Sequence, residues 1–368
     1  MFKGKFEFNA DFFISLMKPK APPVVGVDIS SSSVKMVELS SPGKGILRLE
    51  RYTIEPVPYD AVVDGNIMNM EQVGDSVRRG WKRLGTRIKT LSMALPSAAV
   101  ITKKIVLDAG QSEDELEEQV EAEANQYIPF ALEEVNLDFQ ILGPDPENPE
   151  QVEVMLAASR KEKVEDRIAV AESVGLKAAV MDIDSFAAQN AFEMMAAELP
   201  QGGHDQSIAL IDIGASIMNI NVLRDNQSVY MREQPFGGNQ LNQEIMRVYG
   251  LSLEDADAAK RSGGLPDTYQ ADVLAPFMDT LALEVVRALQ FFFTSTQYSQ
   301  VDHIYLSGGT ASLANLAEVV AERTQVNTLI ANPFAGMEIA GRIKRSQLSI
   351  DSPSLVVSCG LALRRFDA

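Results

Sequence analysis

An α/β protein built from two halves of similar size is the fold class this sequence predicts, and three observations predict it. Apolar runs of strand length alternate with helical patterns along most of the chain. Two of those runs end in aspartate and pass at once into a turn of small residues: Val24-Val-Gly26-Val-Asp28-Ile-Ser30-Ser31-Ser32-Ser33-Val34 and Ile208-Ala-Leu-Ile-Asp212-Ile-Gly214-Ala215-Ser216-Ile217. These stretches open segments of comparable length in a chain of 368 residues, long enough for two domains at roughly 100–200 residues each.

Composition narrows the function. With 46% apolar and 23% charged residues the chain folds rather than staying disordered. Its single cysteine, Cys359, lies in an apolar run, so no intramolecular disulfide forms and a buried thiol in a reducing compartment is expected. Fifty-one acidic against thirty-three basic residues give a formal charge of −18, which repels nucleic-acid phosphates over most of the surface. Two histidines and one cysteine leave no soft-metal site of recognisable spacing, whereas a hard cation held by carboxylates and phosphate oxygens stays open. No stretch approaches the ~20 uninterrupted apolar residues of a membrane span.

The elements follow in order. Residues 1–23 form a Phe-rich lead (Phe2, Phe6, Phe8, Phe12, Phe13) with Lys3, Lys5, Lys18 and Lys20. Glu7, Asp11 and the lack of a small-residue cleavage site argue against a signal peptide, which leaves an amphipathic segment docking on a partner or lipid, or a tail lying on the body. Domain 1 is expected over 24–205, with strands at 24–28, 34–39, 47–56 and 88–95. A helix over 71–84 carries Val73, Val77, Trp81 and Leu84 on one face. Ser112 and Glu115 make a capping box for a helix whose stripe is Leu116, Val120, Ala124 and Ile128 and whose other face is acidic. Strands at 135–142 and 152–158 and a helix at 163–174 follow, so the block of about 100–178 reads as an inserted subdomain. Pro200, Gly202 and Gly203 mark the boundary, and domain 2 is expected over 206–368 with a smaller lobe at about 235–300. There Leu281, Val285, Leu289 and Phe292 fall at helical spacing, which sends the Phe291–Phe293 group to the core.

Small residues after a strand-end aspartate let backbone N–H groups approach a phosphate, and the carboxylate can hold Mg²⁺ through water. One such turn is also an ordinary Ser-rich hairpin; two of them opening matched halves are far more specific. A third element, His303-Ile-Tyr-Leu-Ser307-Gly308-Gly309-Thr310-Ala-Ser312, is an apolar strand running into glycines and then a helix. Its glycines suit a flat ligand against the backbone, and the helix N-terminus suits negative charge.

In order and spacing these motifs resemble the actin-like ATPases, and within them the FtsA family and, most closely, the PilM family of type IV pilus assembly proteins. Further matches are Pro235-Phe-Gly237-Gly238-Asn-Gln-Leu, Glu254-Asp-Ala-Asp257-Ala-Ala-Lys260 and Leu355-Val-Val-Ser-Cys-Gly360-Leu. The resemblance implies an actin-like (ribonuclease H-like) two-domain ATPase fold with an inserted FtsA-type subdomain. It implies that Asp28 and Asp212 organise Mg²⁺, and that Ser30, Ser31, Ser32, Ser33, Gly214, Ala215 and Ser216 contact the phosphates of ATP. Gly308, Gly309 and Ser312 then belong to the adenosine side, and Gly237, Gly238, Asp257 and Lys260 to the ribose and base. Lys35 fits equally a ligand contact or a solvent-facing place on an edge strand, and Asp257–Lys260 fits equally an exposed (i, i+3) pair. Asp184 aligns with the acid that orients the attacking water in relatives, one methylene shorter than glutamate; it fits equally a helix N-cap. Binding with slow or negligible turnover is the expectation.

The family's partners would be the N-terminal cytoplasmic peptide of PilN, captured near the inserted subdomain, the pilus motor ATPases and other inner-membrane pilus components. The site of action would be the cytoplasm, peripherally at the inner membrane, with homo-oligomerisation open. Two other functions of the superfamily compete: a membrane-associated filament former like FtsA, and a small-molecule kinase with Asp182 or Asp184 as base.

Overall fold

The structure, a computed structural model, describes residues 22–43 and 45–366. The Phe-rich lead, apart from Pro22 and Pro23, lies outside the described residues. In chain order the first half runs β1 (Val25–Ile29), β2 (Ser33–Gly43), β3 (Ile46–Pro56), a short hairpin of β4 (Val62–Val63) and β5 (Asn66–Ile67), α1 (Met70–Leu84) and β6 (Thr90–Leu95). It continues through β7 (Val100–Asp108), α2 (Glu113–Tyr127), β8 (Val135–Pro144), β9 (Gln151–Arg160), α3 (Lys161–Ser173), β10 (Lys177–Ile183) and α4 (Asp184–Ala196). The second half runs β11 (Ser207–Ile213), β12 (Met218–Arg224), β13 (Gln227–Gln234), α5 (Gly238–Tyr249), α6 (Leu253–Ser262), α7 (Ala275–Ser295), β14 (His303–Ser307), α8 (Leu316–Thr324) and β15 (Asn327–Ile330). The chain closes with β16 (Glu338–Ile339), α9 (Arg345–Asp351) and α10 (Val356–Leu363).

The two aspartate strands sit at the same place in two like sheets, of order β10-β6-β1-β2-β3-β16 and β13-β12-β11-β14-β15. In each, the aspartate strand starts an antiparallel meander on one side and has two successive parallel strands on the other. The aspartates lie at the carboxyl ends of their strands, where open parallel sheets present their ligand sites. Apolar side chains of both sheets are buried on both faces, as parallel strands require. In the second half the core joins Ile211, Ile213 and Ile220 to Leu281, Val285 and Leu289 of α7. Phe292 is wholly buried there, while Phe291 stays half exposed under the Arg232 guanidinium, 3.8 Å from its ring centre.

The third sheet, β7-β9-β8, is added between β6 and α3. Helix α2 covers one of its faces: Leu116, Val120, Ala124 and Ile128 pack on Ile105, Leu107, Val154 and Leu156. Ser112 and Glu115 close the capping box at the start of α2. The added sheet ends at Arg160, short of the expected bound of 178, because α3 packs beside α1 and β10 pairs in parallel with β6. The expected split at 205/206 also shifts. β16 pairs with β3, and α10 packs on β1 and α4, so the chain returns to the first half at its end.

That return depends on two glycines. A Cβ on Gly360 of α10 would stand 1.7 Å from the Ala187 carbonyl oxygen of α4. A Cβ on Gly26 of β1 would stand 2.1 Å from the Ser358 carbonyl oxygen of α10. Strand, helix and helix therefore meet backbone to backbone. Gly26, expected in the phosphate motif, is a packing residue.

Candidate functional site

A cleft of about 840 Å³ opens between the two main sheets, and Asp28 and Asp212 both line it. The turns that follow them are built alike. The Ser30 N–H donates to the Ser33 carbonyl at 3.0 Å, and the Gly214 N–H donates to the Ile217 carbonyl at 2.9 Å, each two residues past its aspartate. The N–H groups of Ser31, Ser32, Ala215 and Ser216 have no backbone acceptor among the described residues, and these four residues line the cleft, an arrangement that suits an anion. Ser30 and Gly214, also expected at the phosphates, line the cleft too, but their N–H groups are used within the turns. The Ser30 hydroxyl also donates to the Ser33 carbonyl, at 2.9 Å, so Ser30 forms the turn.

The second turn is clamped from behind. The Gly238 N–H reaches the Gly214 carbonyl at 3.0 Å and the Asn239 N–H reaches the Ala215 carbonyl at 2.8 Å. The Asn239 side-chain amide holds the Ser216 hydroxyl at 3.0 Å, and the Thr310 hydroxyl donates to the Gly214 carbonyl at 3.0 Å. A Cβ on Gly237 would come within 2.6 Å of both carbonyl oxygens of this turn. Gly237 is therefore glycine for close backbone approach and does not line the cleft. Gly308 is similar: its φ is +89° and a Cβ would stand 2.4 Å from the Ile213 carbonyl oxygen. Gly309 has nothing within 4 Å of a Cβ and leaves open room in the wall. The helix expected after these glycines starts only at Leu316; a short turn, Gly309–Ser312, intervenes, with the Ser312 hydroxyl on the Gly309 carbonyl at 2.7 Å.

Lys35 faces the cleft, with 12% of its side chain exposed. Its ammonium lies 2.8 Å from Asp28 Oδ2 and 3.2 Å from the Ser30 hydroxyl. Burial works against its charge, but the bonded Asp28 carboxylate and then Asp212 outweigh burial and raise its pKa. Burial, and to a lesser degree Asp28, raises the pKa of Asp212 against the opposing pull of Lys35 and the Ser307 hydroxyl, which donates to Asp212 Oδ1 at 3.0 Å. Among the described residues no three metal-binding side chains cluster. Two carboxylates, one already paired with a lysine, suit a divalent ion that draws most of its ligands from phosphate and water. They do not suit a metal bound by protein alone.

On the far wall Lys260 donates to Asn242 Oδ1 at 2.6 Å and lies 3.4 Å from Asp257 Oδ1. Both members of this pair line the cleft, and burial lowers the Lys260 pKa.

Asp184 opens α4 at the floor of the cleft. Its Oδ1 accepts the Ser97 N–H at 3.0 Å, the Ser185 N–H at 2.7 Å and the Ser97 hydroxyl. It thus ties the start of its own helix to the end of β6 while facing the cleft. Burial, reinforced by Asp28 and Glu233 and opposed by the Ser97 bond, lifts its pKa to about 7. A carboxyl whose folded pKa lies above its unfolded value of about 3.9 lowers stability as pH rises between the two values. In Asp184→Asn the amide oxygen still accepts from Ser97 and Ser185, but nothing titrates. Between pH 5 and pH 8 wild type should lose about 2–3 kcal/mol relative to this variant in urea denaturation. Parallel pH profiles would refute the assignment.

Asp182, the other candidate base, is excluded: it is locked to Arg364 by contacts of 2.6 and 3.1 Å and does not line the cleft. Sequence reasoning also missed cleft residues. Arg167 of α3 donates to the carbonyls of Ala94, Lys163 and Gly65, and Glu233 of β13 accepts the Ala98 N–H at 3.1 Å. Neither lies in a motif. Thr310 stood within the quoted glycine motif, where its bond to the opposite turn left no local signal.

With this geometry in hand, known proteins resemble the chain as follows. The family described as type IV pilus assembly protein PilM matches residues 26–366. A solved chain of a PilM–PilN type IV pilus biogenesis complex is 30% identical, with a TM-score of 0.79 over 95% of this chain and 100% of that one. Ethanolamine utilization protein EutJ from Carboxydothermus hydrogenoformans is 16% identical, with a TM-score of 0.57 over 94% and 91% of the two chains. MreB 5 of Spiroplasma citri, solved bound to AMPPNP, is 15% identical, with a TM-score of 0.51 over 95% and 97%. The last two share the fold alone. The fold is that of the actin-like ATPases, as the paired motifs imply.

Proposed function

The chain belongs to the PilM family of type IV pilus assembly proteins, and from that premise we propose that it is a nucleotide-binding assembly factor that captures the N-terminal cytoplasmic peptide of a PilN-type membrane protein. One observation carries the nucleotide reading: two aspartates, each followed by an identically closed turn with free N–H groups, line a single cleft. Asp28 and Asp212 would hold magnesium, which would supply positive charge against the phosphates. Ser31, Ser32, Ala215 and Ser216 would bind the phosphates, Lys35 would hold Asp28 in place, and Asp257 and Lys260 would meet the ribose side. Slow turnover is expected, because Asp184 is one methylene shorter than glutamate and its Oδ1 is tied to Ser97 and Ser185.

The peptide reading draws support from the 30% identical chain solved with PilN and from the open edges of the added sheet, β7 and β8. The working place would be the cytoplasmic face of the inner membrane, beside the pilus motor ATPases. Among the described residues no helix is long and apolar enough to cross a membrane.

Melting curves test the nucleotide reading. At a hundredfold excess over Kd, Mg-ATP should raise the melting temperature by about 5 °C. ATP with EDTA should give less, and magnesium alone nothing. Absence of any shift at millimolar Mg-ATP would remove the nucleotide. Rapid phosphate release that rises with an added sugar would replace this reading with a kinase.

A further inference from the structure

The turn Ser97–Ala99 is a junction of three bodies. It leaves β6 of the first sheet and enters β7, the first strand of the added sheet. Its first residue is held by the first half, since Ser97 donates twice to Asp184 Oδ1. Its second residue is held by the second half, since the Ala98 N–H donates to Glu233 Oε1 at 3.1 Å. Its third residue is fastened to the added sheet, where the Ser159 hydroxyl donates to the Ala99 carbonyl at 2.9 Å and Val100 pairs with Ser159.

Glu233 is not an arbitrary point on the second half. It stands on one rung with Asp212: Asp212 pairs with Asn219 across β11 and β12, and Asn219 pairs with Glu233 across β12 and β13. A rung of a hydrogen-bonded sheet is stiff, so a displacement of Asp212 relative to the first half carries Glu233 with it. The bond to Ala98 is charge-assisted, and among the described residues its N–H has no other acceptor.

We propose that Glu233 is a positioning residue that makes the placement of the added sheet depend on occupancy of the cleft, by linking the Asp212 rung to the root of β7. The inference rests on reading the cleft as a nucleotide site. A residue that merely satisfied the Ala98 N–H would, when removed, loosen β7 equally with and without ligand. A coupling residue changes the difference between the two states.

Hydrogen exchange on the full chain reads that difference. In wild type, Mg-ATP should slow exchange over 98–108 and 151–160 by about fivefold, at the low end of usual coupling. Glu233→Gln, which keeps an acceptor oxygen, should retain the slowing. Glu233→Ala should lose it while Mg-ATP still raises the melting temperature. The proposal is overturned if Glu233→Ala keeps the ligand-dependent slowing, or if wild type shows a melting shift without it. If Mg-ATP moves neither melting nor exchange in wild type, the nucleotide reading itself has failed and the coupling falls with it; the melting curve tells the two failures apart.

Discussion

Asp212→Ala should remove the rise in melting temperature expected with Mg-ATP and leave the unliganded protein folded. The unliganded site is a place of like charge: Asp28 and Asp212 face one cleft with Lys35 bonded to only one of them. Burial already raises the pKa of Asp212, so its ionised form weakens the fold rather than supporting it. The alanine variant keeps the Lys35–Asp28 ion pair, and its melting temperature without ligand should equal or exceed that of wild type. With ligand, loss of a charged contact to the metal costs about 3 kcal/mol, roughly a hundredfold in Kd. Isothermal titration with Mg-ATP and ATP–EDTA measures it. Undiminished affinity in the variant would move the metal away from Asp212.

Gly360→Ala should destabilise the protein by about 4 kcal/mol or more, the range in which one substitution prevents folding at growth temperature. Its new methyl would stand 1.7 Å from a backbone oxygen of α4, which cannot swing aside as a side chain would. Gly26→Ala meets the backbone of α10 from the other side and should behave likewise. Gly341, where a Cβ touches nothing within 4 Å, is the control and should change stability by less than about 0.5 kcal/mol. Urea midpoints on the soluble variants decide the matter. Near-wild-type stability of Gly360→Ala would show that α4 and α10 can part.

The paired aspartate turns were legible because each is one unbroken stretch with its own chemistry, and the two sheets follow from the same apolar runs. What escaped notice depends on partners far along the chain. Gly26 stands beside the first turn and reads as part of it, yet the contact that requires glycine there comes from Ser358. Strand alternation assigns Lys35 to a face without saying what lies across it; the answer, Asp28, comes from hairpin register. The inserted block reads too long because α3 follows β9 directly, with no break in the sequence to show that it belongs to the first sheet. β16 is two residues long and gives no periodic signal, so the return of the chain to the first half could not be seen. Arg167 acts through three bonds to backbone carbonyls and Glu233 through one to a backbone N–H, contacts that leave no trace in local composition.

Two halves with like strand order around their aspartates would not by themselves fix the sense in which an elongated guest lies. The strand partners of the aspartates break that tie: Asp28 faces Lys35 across its hairpin, whereas Asp212 faces Asn219. On the proposed reading, an ammonium on one side and an amide on the other would give a row of phosphates a head and a tail.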